Sequence, residues 1–133
     1  MMQHLALVTV VVPDYDTAIA FYCGVMGFNL VANDELGGGK RWVVVAPPGA
    51  RETRLLLARA ATEEQGAAVG NQTGGRVFLF LHTDDFLRDH ARLSRAGVLF
   101  EEAPREESYG KVVVFRDPFG NRWDLLQLTE TQS

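Results

Sequence analysis

A single cysteine, Cys23, leaves the 133-residue chain with no possible intramolecular disulfide. No histidine lies near it in sequence and no helix start is placed to lower its pKa, so a nucleophilic role is not expected. Long apolar runs are missing too. No stretch approaches the ~20 residues of a membrane helix and no basic segment leads into one, which argues against a signal peptide and for a cytoplasmic protein. Runs of one charge are equally scarce: thirteen Lys and Arg stand against seventeen Asp and Glu, a net charge of −4 with pI near 5.3. The basic footprint required by nucleic acid or an acidic membrane surface is lacking, and neither is expected as a partner. Hydrophobic residues are plentiful, at 47%. That supports one packed core, while the chain is too short for two independent domains.

Leu5 to Val12 is a short β-branched run ended by Pro13, which reads as a buried strand. Asp14 or Asp16 can cap a following helix in which Tyr15, Ala18, Tyr22 and Val25 recur at helical spacing, with Gly27 as the stop. "FNLVAND", "KRWVVVA" and "TRLLLAR" follow as strands, separated by the turn signals "ELGGGK" and "PPGA". "LGGGK" joins two strands and falls short of a phosphate-binding loop. The order then repeats. "RVFLFLHT" is a strand, Asp84 a cap, and Phe86, His90 and Leu93 a helix stripe stopped at Gly97. "VLFEEA", "KVVVFR" and "RWDLLQL" are three more strands, joined by "PREESYG" and "DPFGN". Asp14 to Gly27 and Asp84 to Gly97 have the same spacing, which makes the duplication in-register. The sequence therefore predicts one α+β domain over residues 1–133: a βαβββ module over about 4–60, a Gly-rich linker over about 61–75, and a second βαβββ module over about 76–128.

"VVPDYDTAIAFYCGVMGF" in the first module, with "TDDF" and "FRDPFGNRWDLLQ" in the second, resembles the vicinal-oxygen-chelate superfamily of glyoxalase I, bleomycin-resistance proteins and extradiol dioxygenases. The likeness covers almost the whole chain. It implies a curved mixed sheet around one cavity, often completed by a second chain, and says little about reaction because one fold hosts many chemistries. In metal-dependent members the ligands, usually His or Glu, sit in the first and last strand of each module. The resemblance places those positions on Leu7, Leu56, Phe78 and Asp124. Only Asp124 can donate to a metal. Catalytic sites draw about three protein ligands, so no metal or other cofactor is expected.

His82 shares a strand face with Phe78 but lies roughly 13 Å along it, too far to replace a ligand at the same ion. It can donate a hydrogen bond or proton at the pocket end, or simply meet solvent. His4 is expected to be exposed and His90 to be a packing residue. Asp124 should face the cavity beside Arg122 and Leu126, either as a polar anchor or general base in an apolar pocket, or as a buried acid paired with an Arg or a backbone N–H. Trp42 offers an aromatic wall or a core side chain, and Tyr109 an overhang at the pocket mouth or a turn filler.

Two functions stay open. One is a homodimeric, metal-free module with no catalytic residues, which sequesters or senses a small apolar or aromatic molecule; its candidate ligand-binding residues are Leu7, Thr9, Trp42, Leu56, Phe78, Phe80, His82, Tyr109, Arg122 and Asp124. The other is a lyase, isomerase or dioxygenase, metal-dependent or working through Asp124 and His82.

Overall fold

A computed structural model describes residues 1–129. The chain divides into two compact units, the first Met1–Val69 and the second beginning at Gly70.

The first unit opens with β1 (Leu7–Val12), two residues later than the apolar run begins. Helix α1 (Tyr15–Ile19) follows, capped by Asp14, whose carboxylate accepts from Thr17 N at 2.8 Å. It continues without a break into a wider π-helical stretch, Ala20–Val25. Strands β2 (Asn29–Gly37), β3 (Lys40–Ala46) and β4 (Arg54–Arg59) then form a sheet ordered β1-β4-β3-β2, with β1 parallel to β4 and the other pairs antiparallel. The β2–β3 hairpin turns through Gly38 and Gly39, both at positive φ, the backbone that a two-residue turn between twisted strands demands. Strand alternation sorts the faces. Val10 and Val12 of β1, Val43 and Val45 of β3, and Leu55 and Leu57 of β4 are buried, and α1 packs over β3 and β4. Each such side chain contributes about 1.5–3 kcal/mol by leaving water. Leu7, Thr9, Trp42, Val44, Arg54 and Leu56 occupy the opposite face.

A short helix, α2 (Glu63–Ala68), closes this unit inside the stretch expected to be linker. Thr62 caps it, accepting from Gln65 N at 3.1 Å, while the Gln65 side chain accepts from Ala61 N at 2.8 Å.

The second unit contains β5 (Val77–His82), α3 (Phe86–Arg95), β6 (Leu99–Phe100), β7 (Arg105–Glu107), β8 (Gly110–Arg116) and β9 (Arg122–Leu128). Its sheet runs β5-β9-β8-β6, with β7 on another stretch of β8 and β5 parallel to β9. Two expectations need correction. "PREESYG" is not only a connection, because Arg105–Glu107 pairs with β8. The cap of α3 is Asp85, whose carboxylate accepts from Arg88 N at 3.1 Å, whereas Asp84 lies one residue earlier and pairs with the Arg88 guanidinium at 3.0 Å. The cap-to-glycine spacing is therefore one residue longer in the first unit, where the π-helical stretch follows α1; a π-bulge is how a helix absorbs one extra residue.

Phe86, His90, Phe100, Phe115 and Trp123 form a continuous ring ladder under α3, with centroids 4.5–6.3 Å apart. His90 is accordingly a packing residue. The turn between β8 and β9 is organised by Asp117. Its Oδ1 accepts from Phe119 N and Asn121 N at 3.1 and 3.0 Å, and its Oδ2 from Asn121 Nδ2 and Trp123 Nε1 at 2.9 and 3.1 Å. That cluster starts β9 in the register that carries Arg122, Asp124 and Leu126 together on one face.

Candidate functional site

On the open face of the first sheet, Leu7, Val31, Ala32, Trp42, Val44 and Arg54 surround a cavity of about 410 Å³, within the range of small-molecule sites. His4, Arg51 and Glu52 stand at its rim. Two hydrogen bonds fix its floor: Arg54 N donates to Ala6 O at 3.0 Å and Thr53 Oγ1 to Leu5 O at 2.8 Å. The Trp42 indole is 40% exposed, so it presents a face to whatever enters. Arg54 is half-buried, and its Nε is enclosed without a hydrogen-bond partner.

Leu7 and Trp42 are thus brought together. Thr9 and Leu56 share the same face as cross-strand partners but do not line this cavity. His4, expected only to be exposed, also stands at its edge. Val31, Val44 and Arg54 were missed by sequence reasoning. Fixing Leu55 and Leu57 as the buried positions would have placed Arg54 on the Leu56 face, but three consecutive leucines conceal that register.

In the second unit, Phe78 and Arg122 line a cleft of only about 40 Å³ together with Thr73, Arg116 and Asn121. The strand-register partner of Asp124 is Phe80, and Phe78 falls in an irregularity between Val77 and Leu79. Phe80 is 62% exposed. His82 is exposed opposite Leu126. Tyr109 sits in the β7–β8 turn, its carbonyl accepting from Thr129 N at 2.9 Å.

Asp124 does not form the Arg pair that would make it an ordinary buried acid. Arg122 gives its guanidinium to Glu101, at 2.8 and 2.9 Å, and to Gly75 O at 3.0 Å. Arg105 binds Glu102 and Glu107, each at 2.7 Å. The Asp124 Oδ1 is buried without a partner. Burial lifts its pKa above the ordinary carboxylate value; Arg105 and Arg122 oppose this and Glu102 adds to it.

A metal does not fit these residues. Leu7, Leu56 and Phe78 carry no donor, and among the described residues no three His, Cys, Asp or Glu side chains gather closely enough to hold an ion. No described helix is long and apolar enough to cross a membrane.

The sequence profile of the Glyoxalase/Bleomycin resistance protein/Dioxygenase superfamily matches residues 2–125. An uncharacterized protein of Shewanella frigidimarina (strain NCIMB 400) is 50% identical over 99% of this chain and 98% of its own length. Among solved structures, TnmS3, an antibiotic binding protein from Streptomyces sp. CB03234, is 35% identical with a TM-score of 0.77, over 96% of this chain and 98% of that one. UcmS2 is 30% identical with a TM-score of 0.80, over 95% and 98%. With nearly its whole length matched in sequence and in fold, the chain belongs to the glyoxalase/bleomycin resistance protein/dioxygenase superfamily.

Proposed function

We propose that this protein binds a small aromatic or apolar molecule without a metal, sequestering or sensing it. The observation that carries this reading is the cavity of the first unit, where Leu7, Val31, Val44 and the exposed Trp42 form an apolar wall with a few polar groups beside it. The antibiotic-binding character of TnmS3 supports it. The reading also takes the chain as a cytoplasmic homodimer: β2 is an edge strand carrying exposed Leu30, Val31 and Leu36, and isologous pairing is the commonest way to cover such a surface.

The test uses the two tryptophans. Trp123 is 2% exposed, so contact quenching by an added compound reports Trp42. A panel of fused-ring aromatic compounds is expected to give saturable quenching and a raised melting temperature, since a ligand that binds only the native state stabilises it. Trp42→Phe should abolish the quenching. If no compound quenches or stabilises, the reading fails. The buried Asp124 Oδ1, left without a partner, favours a second reading, an enzyme using that carboxylate as a general base. Under that reading the bound compound is recovered chemically altered, and Asp124→Asn stops the change.

A further inference from the structure

We infer that the cavity of the first unit selects aromatic acids, with the anionic group of the ligand held by Arg54 and its ring laid against Trp42. This rests on the small-molecule reading above and names the ligand class.

The repeat supplies an internal comparison. Arg54 and Arg122 are each the first residue of the last strand in their module, set opposite the start of the first strand: Leu7 faces Arg54 and Val77 faces Arg122. Arg122 is satisfied by two bonds to Glu101 and one to Gly75 O. Arg41, Arg88, Arg105 and Arg116 also hold carboxylates. Arg54 differs from all of these. Among the described residues it forms no ion pair, and its Nε is enclosed without an acceptor. A buried donor left unmade is expensive, and a planar guanidinium fork matches a carboxylate with two parallel bonds. Arg54 also lines the cavity, and the ligand's anionic group is the partner assigned to its guanidinium.

Charge points the same way. Arg51 and Arg54 outnumber Glu52 around the cavity, in a chain whose overall charge is −4. The exposed Asp34 is the cross-strand neighbour of Trp42. A negative charge at the indole end directs the ligand's own charge toward Arg54. Ring and acid are thereby given separate ends of the site, and the hydrogen bonds that tie Leu5 and Ala6 to Thr53 and Arg54 hold that floor before any ligand arrives.

A matched pair of probes tests this: 2-naphthoate and its neutral isostere 2-naphthamide, each titrated against the full chain by Trp42 quenching and calorimetry. Naphthoate is expected to bind at least tenfold more tightly. Arg54→Met, which keeps the apolar stem and removes the fork, should bring the two probes within about twofold by weakening naphthoate alone. Arg54→Lys, a milder change that keeps the charge, should leave an intermediate preference and serves where the Met variant does not fold. Equal binding of acid and amide by the wild type, or a preference that survives Arg54→Met, overturns the assignment while leaving the cavity a binding site. Absence of quenching by either probe overturns the cavity reading itself, and this inference with it.

Discussion

Asp117→Asn is the most informative single substitution outside the cavity, because it removes one acceptor and keeps the shape. The wild-type carboxyl is 4% exposed and divides four donors between its oxygens: Phe119 N and Asn121 N on Oδ1, Asn121 Nδ2 and Trp123 Nε1 on Oδ2. An asparagine has one carbonyl oxygen and one NH₂ group. In one orientation the NH₂ faces the Asn121 and Trp123 side chains; in the other it faces the two backbone N–H groups. Either way, two donors lose their bond to residue 117 and meet another donor. A buried donor left without its acceptor costs about 1–3 kcal/mol. Phe119 N is only part-buried and can turn to water, so the total is about 2–4 kcal/mol, a large share of the roughly 5–15 kcal/mol that holds a domain of this size. With a urea dependence of about 1–3 kcal/mol per molar, the unfolding midpoint should fall by roughly 1–2 M. Urea titration followed by the fluorescence of buried Trp123 measures it. A midpoint within about 0.3 M of wild type would refute the claim that this carboxyl organises the start of β9.

Three further outcomes are expected. Because burial raises the Asp124 pKa above 3.8, the native state binds more protons than the unfolded chain between that value and the raised one; stability therefore falls as pH rises through this window, and the deficit persists at neutral pH. Asp124→Asn should raise the melting temperature at pH 7 and lose that advantage below pH 3.8, whereas a variant less stable than wild type at pH 7 would contradict the desolvation argument. Gly70→Ala should destabilise by more than the ~1–2 kcal/mol of left-handed strain alone, since φ is +71° and the added Cβ would lie 2.0 Å from Phe119 O; thermal unfolding indistinguishable from wild type would refute that contact. Light scattering at micromolar concentration should give twice the 14.7 kDa chain mass, and a stable monomer counts against the pairing of edge strands.

The parts of the fold that were legible in the sequence are those where one residue type answers one demand. Short apolar, β-branched runs gave the strands that pack under α1 and α3, glycines at positive φ marked helix ends and turns, and "DPFGN" announced the turn between β8 and β9. The parts that were not legible depend on partners remote in sequence. Strand β7 is "REE", a poor strand former, and becomes a strand because β8 offers it a free edge and Glu102 and Glu107 bracket Arg105. Helix α2 did carry a signal, Thr62 three residues before Gln65, but at six residues it is too short for periodicity to declare it.

The site follows the same division. The family resemblance placed Leu7 and Asp124 on the cavity face, and the strand run left Trp42 as either a wall or a core side chain. The chemistry, however, lies in which polar atoms go unpaired, and that is decided by neighbours. Arg54 and Arg122 are equivalent in the repeat and identical in type. Glu101 and Gly75 O satisfy the Arg122 guanidinium, while the Nε of Arg54 has no hydrogen-bond partner. Duplication thus provides two copies of one scaffold in which the same arginine position meets different partners, and it is those neighbours, remote in sequence, that distinguish Arg54 from Arg122.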